Sequence, residues 1–451
     1  MQKITTTGNA TFIAYDNVPI IATDPWYGDQ DPAYFGSWMC SHEIPLSLKK
    51  DIQDCKYLWF SHGHPDHLNP ISIERFKGKK ILLPDHYNSR IFNDLKSSSY
   101  DVEILPDRKW VNLTDKIKVL CITTFIQDSI LLIDVCGKLF INLNDSGAKS
   151  CSSFIRKISE RYNEVFLLSL SGYGDADMIN FYDEDDNFIL PPAAKKEKPG
   201  IMLSQFCKLV GANSVIPFSS FHQYQREDSI WAQKYTTPID SYREGLDKSI
   251  KFYEPFVIID CNSLESENYN PNRTKIIIKK SEDFGDSWSD QLSKEDCNKI
   301  YNYFFKKERV RNFFGFINFV VGSKQHTFKL EGKKNRGITF EVPRYSLMQA
   351  VEYKIFDDLL IGNFMKTTLH NCNSLYEGRG NFGYNVAKFS DNGLADSEEE
   401  ITNYIKNYKK RAGYEFLLST FEDKSKDFII RFFNKDSKIF NLLKKSYLII
   451  R

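Results

Sequence analysis

What this chain of 451 residues has little of narrows its class before any motif is read. Charge of one sign is not in excess: 60 Lys and Arg stand against 59 Asp and Glu, a net charge of +1. The broad basic footprint of a general nucleic-acid binder is therefore missing. No run of about 18 apolar residues occurs, so no transmembrane helix is expected. The polar stretch Met1–Ala10 lacks the apolar core of a secretory signal. The nine cysteines are odd in number and scattered, without pairs at metal-ligand spacing. That pattern excludes a disulfide framework and fits a reduced compartment, with most thiols acting as small buried apolar groups. We find no internal repeat and no low-complexity tract. These absences predict a cytoplasmic protein with neither a membrane nor a nucleic-acid partner.

What remains is globular: 41% hydrophobic, 14% aromatic and 26% charged residues. At about 150 residues per domain the length allows two or three domains. Short strands are predicted at Thr11–Tyr15, Pro19–Thr23 and Tyr57–Phe60, followed by a helix over Ser72–Phe76 and a strand over Lys80–Leu83. A helix over Asn88–Leu95 and a strand over Val102–Leu105 follow. Ile117 to Leu143 reads almost wholly as strand. Beyond Asp145 helices (Ser153–Arg161, Leu203–Val210) alternate with strands (Val165–Leu170, Ser214–Phe218). Strands first and strand–helix alternation later predict an α/β sandwich of two sheets with helices outside. Asn, Ser, Glu and Pro accumulate between Cys261 and Thr274. We therefore expect a catalytic domain over 1–262 and a smaller α+β domain over 274–451. In the second, Tyr345–Asp358 and Glu398–Tyr408 read as helices. Ile401, Tyr404, Ile405 and Tyr408 share one face of the latter.

One constellation carries chemistry. Ser61-His62-Gly63-His64-Pro65-Asp66-His67 places three of the eight histidines and a carboxylate at the mouth of a strand. Imidazole is a donor for zinc, iron or manganese, and carboxylate is a hard anionic donor. A tight loop can aim His62 and His64 at one ion, and Asp66 and His67 at a neighbour. Titratable rings crowded at a strand end have no packing advantage to explain them.

His62-x-His64-x-Asp66-His67 resembles the metal-binding signature of the metallo-β-lactamase fold superfamily. Asp24 closes an early strand, Asn144-Asp145-Ser-Gly147 follows the strand Leu139–Leu143, and His222 follows a later strand. The resemblance implies a metallo-β-lactamase-like α/β/β/α sandwich. It implies His62, His64, Asp66, His67, Asp145 and His222 as ligands of two transition-metal ions, with Asp145 bridging. Asp66 and Asp24 are the implied catalytic acids, Asp24 orienting the cluster from behind the ligands. Asp24-Pro-Trp, Phe35-Gly-x-Trp38, Ile216-Pro-Phe218 and Phe356-Asp-Asp-Leu-Leu-Ile-Gly-Asn-Phe364 are distantly similar to the CMP-N-acetylneuraminate hydroxylases.

Two departures from that pattern matter. A Rieske cluster needs Cys-x-His followed by Cys-x-x-His; here Cys40-Ser-His42 is present, but Cys55 is followed by Leu58. Electrons would come from a separate donor, or the reaction needs none. The superfamily's further histidine is expected near Thr124, yet no histidine lies between His86 and His222. Its place is left to Asp128, to Gln127 or to no protein donor. The resemblance favours a di-iron oxygenase acting on a small polar molecule, such as a nucleotide sugar or amino sugar, with iron ahead of zinc or manganese. The alternative is a hydrolase of an ester, lactone, amide or phosphodiester, and a third reading is a non-catalytic binding module. Arg226 is a candidate contact for an anionic substrate; the alternative is a surface salt bridge with Glu227 or Asp228.

The other histidines read as structural, with His86 capping the helix that follows it. The aromatic run from Tyr301 to Phe319 reads as core. The glycine-rich stretch Glu377–Gly383 is weak as a phosphate loop.

Overall fold

The computed structural model describes residues 1–416, apart from 29–30, 149, 171–179, 196–197, 220 and 377–379. Part of the Glu377–Gly383 stretch and the end of the expected second domain therefore lie outside the described residues. The first sheet has eight strands in the order Ser266–Asn268, Val257–Asp260, Gln2–Thr6, Phe12–Asp16, Val18–Thr23, Tyr57–Trp59, Lys80–Pro84 and Asp101–Leu105. Its first five strands pair antiparallel and the last four pair parallel. The second sheet has seven, ordered Lys251–Phe252, Ser214–Pro217, Val165–Ser169, Lys138–Asn144, Ser129–Val135, Ile117–Thr123 and Trp110–Asn112.

The two sheets face each other. Phe12, Trp59 and Leu82 from the first meet Val119, Leu131, Phe140, Phe166 and Ile216 from the second, all buried. The rings of Phe140 and Phe166 stack at 4.6 Å. The outer face of the second sheet is covered by helices Ser152–Ser159 and Pro199–Val210, and that of the first by Leu46–Asp54 and Arg90–Ser97. The result is the metallo-β-lactamase-like α/β/β/α sandwich. Covered faces explain the unbroken apolar run Ile130–Ile133, for every residue of Ser129–Val135 is buried. In both sheets the parallel strands end on the same rim, which carries Asp24, Ser61 and Asn144. Loops at such carboxyl ends are where α/β sheets place ligands. Among the described residues no helix is long and apolar enough to cross a membrane.

A third sheet, Phe181–Tyr182, Lys366–His370, Lys333–Glu341, Phe314–Val321 and Lys324–Lys329, has its own core. Phe304, Phe319, Phe340, Phe356 and Phe382 pack ring on ring there, Phe340 and Phe356 at 5.2 Å. Its edge strand Phe181–Tyr182 comes from the earlier half of the chain.

The helix expected over Tyr345–Asp358 is broken. Arg344–Tyr353 ends at Lys354, whose φ of 55° is left-handed, and Phe356–Ile361 restarts in a new direction. Arg90 holds the break: its guanidinium donates to the carbonyls of Tyr353, Lys354 and Asp391. A cation at a helix C-terminus satisfies carbonyls that have no partner within the helix. The stretch Ser72–Phe76 is a 3₁₀ turn rather than an α-helix. Helix Glu398–Ala412 begins at the capping box Ser397/Glu400 and lays Ile401, Tyr404 and Tyr408 against Tyr87 and Phe125 of the sandwich.

Beneath the break lies a buried ion pair. Lys307 Nζ is 2.8 Å from Asp391 Oδ1, and Tyr303 donates to Asp391 Oδ2 at 2.7 Å. Lys307 and Asp391 are 3% and 1% exposed, so removing either charge strands the other in a dry core. Lys307→Met is expected to lower stability by about 3–5 kcal/mol, read from urea unfolding.

Candidate metal centre

The histidine turn is fixed from three sides. The amide of Ser61 donates to Asp24 Oδ1 at 2.7 Å, locking the start of the turn to the neighbouring strand's end. Within the turn the amides of His67 and Leu68 close on the carbonyl of His64. Asn69 ties off the exit: its Nδ2 reaches the carbonyl of Pro65 at 2.8 Å and its Oδ1 accepts from the amides of Ile71 and Ser72. Asn144, on the opposing sheet, donates to Asp24 Oδ2 at 2.5 Å and Ser61 Oγ at 2.8 Å, joining the two sheets across the rim. Asp24 and Asn144 both take positive φ (38° and 49°), a conformation that Asp and Asn tolerate best among residues with a Cβ.

Each of the three histidines has a carboxylate beside one ring nitrogen, and its other nitrogen faces the rest of the cluster. His67 Nδ1 lies 3.2 Å from Asp24 Oδ2, and its Nε2 faces Asp145 Oδ2 at 3.2 Å and Asp66 Oδ2 at 3.4 Å. His62 Nδ1 lies 3.3 Å from Asp128 Oδ1 and 2.8 Å from Ser61 Oγ. His64 Nε2 lies 3.1 Å from Asp357 Oδ2, while its Nδ1 meets His62 Nε2 at 2.9 Å. Carboxylates placed this way set the tautomer and orientation of metal-binding histidines. Among the described residues, donor atoms of His62, His67 and Asp145 converge within 4.8 Å of one another.

The electrostatics are dominated by buried acid. Burial alone would lower the pKa of His67, but Asp66 and Asp145 outweigh it and raise it well above the ordinary value. His62 is pushed well below, by burial first and then by the rings of His67 and His64. For Asp357, burial is overcome by Lys388 and His64, which hold its carboxyl at about 2. Its neighbour Asp358 rises to about 7 because burial is not offset. Asp145 Oδ1 is buried with no hydrogen-bond partner among the described residues. A stranded carboxylate oxygen is costly, by about 1–3 kcal/mol or more, unless a cation meets it. Two imidazoles, a carboxylate with an orphaned oxygen and an acid-rich surround fit a divalent transition metal.

The remaining expected residues fall in different places. Asp66 sits against His67, with Oδ1 accepting from Tyr34 at 2.5 Å. His222 is stacked face to face on Trp38 at 3.4 Å, in a short ribbon where it pairs with Cys40. It is outside the convergent trio. Asn9 holds it near, donating to the carbonyl of Asp66 and accepting from the amide of Phe221. Arg226 does not serve as an anion contact. Its side chain is fully buried and donates to Asp228, Asp286 and the carbonyl of Phe35, with Phe364 beneath it at 3.9 Å. The guanidinium is an internal tie. His86 does not cap its helix through its side chain. Its ring instead lies between Tyr408 (3.3 Å from Nδ1) and the carbonyl of Ser61.

Sequence reasoning passed over Asp357 and Lys388. Asp357 stands 293 residues beyond His64. The only signal was the acidic pair in Phe356-Asp-Asp-Leu-Leu. Lys388, from the widened π-helix Gly383–Asn392, reaches Asp357 at 3.4 Å. Near the absent histidine it is Asp128 that approaches the cluster, and Thr124 lies buried beside it.

No protein-family model matches the chain. A protein of Mycolicibacterium smegmatis described as a Rieske 2Fe-2S iron–sulfur protein is 35% identical over 90 residues, 19% of this chain and 16% of that one. Cytidine monophosphate-N-acetylneuraminic acid hydroxylase of Danio rerio is 22% identical over 131 residues, 27% of this chain and 22% of that one. The matches thus span about a fifth of these relatives' length. Among the solved structures it resembles is the metallo-β-lactamase fold protein YhfI from Bacillus subtilis, which aligns over 57% of this chain and 98% of its own, at 9% identity and a TM-score of 0.36. An isothiocyanate hydrolase from Delia radicum gut bacteria aligns over 59% of this chain and all of its own, at 12% identity and a TM-score of 0.39. CmlA, a diiron β-hydroxylase from Streptomyces venezuelae, aligns over 49% of this chain and 45% of its own, at 12% identity and a TM-score of 0.32.

Two outcomes follow from this geometry. Replacing Asp357 by Ala should weaken metal affinity about 10–100-fold, measured by chelator competition, while Asp357→Asn keeps part of it. His86 stays neutral in the fold down to about pH 4, whereas the unfolded chain takes up the proton near its ordinary 6.5. Its contribution is therefore intact above pH 6.5 and lost as pH falls towards 4. In urea unfolding over that range, the decline should be shallower in His86→Gln, by up to ~3 kcal/mol.

Proposed function

We propose that this chain is a metal-dependent oxygenase with a dinuclear centre, iron ahead of zinc or manganese, that hydroxylates a small polar molecule, with a nucleotide sugar or amino sugar as the substrate class. The observation that carries this reading is the donor set. Two imidazoles and one carboxylate, His62, His67 and Asp145, converge within 4.8 Å. Two histidines with one carboxylate and open positions hold a single iron in the mononuclear non-haem Fe(II) oxygenases, and a second ion needs further donors beside them. His64, Asp66 and His222 are the proposed donors for the second ion. When bound, the metal supplies a site at which O2 is reduced.

The chain's own residues hold and shield that site. Asp24, Asp128 and Asp357 fix the three rings, so the donor nitrogens are set before a metal arrives. His62, Asp66 and His67 are 4%, 2% and 0% exposed, which limits bulk water at the reacting centre. Tyr34, donating to Asp66 Oδ1, leaves the other oxygen of that carboxylate facing His67.

A second reading, a hydrolase on the same residues, is favoured by one observation. All nine cysteines are free, and no cysteine joins a metal-capable group among the described residues. Oxygenation requires an electron source, whereas hydrolysis needs none, because a metal lowers the pKa of bound water to about 7.

Protein made in iron-replete cells distinguishes the two. Anomalous scattering at the iron and zinc edges should show iron, and reductant-dependent O2 uptake should disappear in Asp145→Ala. Zinc alone, with no O2 uptake from any reductant, would transfer the assignment to hydrolysis.

A further inference from the structure

We propose that the segment Arg273–Lys280 is a contact for the surface of an anionic lipid bilayer. Its sequence, Arg-Thr-Lys-Ile-Ile-Ile-Lys-Lys, sets three consecutive isoleucines among four cations with no acid between them. Ile276, Ile277 and Ile278 are 38%, 61% and 60% exposed. Among the described residues, other large apolar side chains exposed to this degree stand singly in the sequence, which is ordinary for a protein surface. Three in succession are not, and a contiguous apolar patch with a polar rim marks an interaction site.

The segment is held, not frayed. At one foot the amide of Thr274 donates to the carbonyl of Ser41, and Gln223 Nε2 reaches the carbonyl of Thr274. At the other, the amide of Lys279 donates to Gln225 and its carbonyl accepts from Glu227. The isoleucines form the arch between these feet, so their exposure is built into the fold.

Charge identifies the occupant. Among the described residues, Arg273, Lys275, Lys279 and Lys280 form no ion pair. Lys279 Nζ rests over the ring of Phe284 at 5.8 Å. Four cations without a carboxylate partner around an apolar tip match an anionic leaflet, which takes isoleucines between its headgroups and cations at its phosphates. A strand-adding peptide fits less well, for it would use one face of the segment and leave alternate isoleucines in water. Lying on a bilayer differs from crossing one, so the lack of a spanning run does not oppose this reading. The contact stands apart from the proposed chemistry.

Sedimentation with sucrose-loaded vesicles tests it, using phosphatidylcholine alone and a roughly 7:3 mixture with phosphatidylserine. The full chain should partition to the mixed vesicles about tenfold more strongly than to phosphatidylcholine, and raising the salt to about 0.5 M should weaken this. Ile277→Asn/Ile278→Asn, and separately Lys275→Gln/Lys279→Gln/Lys280→Gln, should each lower partitioning about tenfold with the urea midpoint unchanged. The proposal fails if the unaltered chain stays in the supernatant at low salt. It fails also if both variants sediment like the parent. If the variants instead only convert a dimer to a monomer on size exclusion, the patch joins two copies of this chain and the proposal is overturned.

Discussion

Six aspartates gather around one dry histidine turn, and burial asks each of them for a proton, a hydrogen bond or a positive neighbour. Asp24, Asp66, Asp128 and Asp358 are all buried around the histidine turn, and Asp145 and Asp357 lean on two of its rings. Isolated carboxylates cannot be moved from water into such surroundings without compensation. Inside the cluster His67 supplies a positive charge, drawn far from its ordinary titration by Asp66 and Asp145. At the edge Lys388 does so for Asp357. Much of the surrounding architecture reads as a means of keeping these groups together: the asparagine bridge between sheets, the tie from Asn9 and the shielding ribbon of Trp38 and His222.

The same constraint explains why the sandwich alone does not complete the rim. Asp357 is placed by a helix that exists only because the preceding one stops at Lys354. That stop is held by Arg90, which belongs to the sandwich. The root of the helix, Phe356, is wedged among the rings of Phe304, Phe340 and Phe382. An apolar core thus sets the direction of a charged tip. Ring packing is close to crystalline density, so such a tip has little freedom to drift.

Much of the sandwich was legible in the sequence because its signals are local. Runs such as Ser129–Val135 announce covered strands, and the His62–His67 turn shows its chemistry within six positions. Asp145 stands directly after a strand end, where the metallo-β-lactamase resemblance implied a bridging carboxylate. What was not legible depends on partners far away in the chain. The strand Gln2–Thr6 looks polar, yet its neighbours on both sides bury it. Nothing near Lys354 announces a left-handed residue; the carbonyls freed there are satisfied by an arginine 264 positions earlier. Arg226 looked like a surface cation because Asp286, which buries it, stands 60 residues further on.

The long separation between His64 and Asp357 also bears on when the centre can form. A ribosome adding about 5–20 residues per second needs roughly 15–60 s to travel from one to the other. Throughout that interval the histidine turn is synthesised but lacks one of its orienting acids. Until residue 357 is made, the ring of His64 is free to turn, and the turn is less ordered than in the finished fold. A chain interrupted before residue 357 would carry the histidine turn without the acid that orients His64.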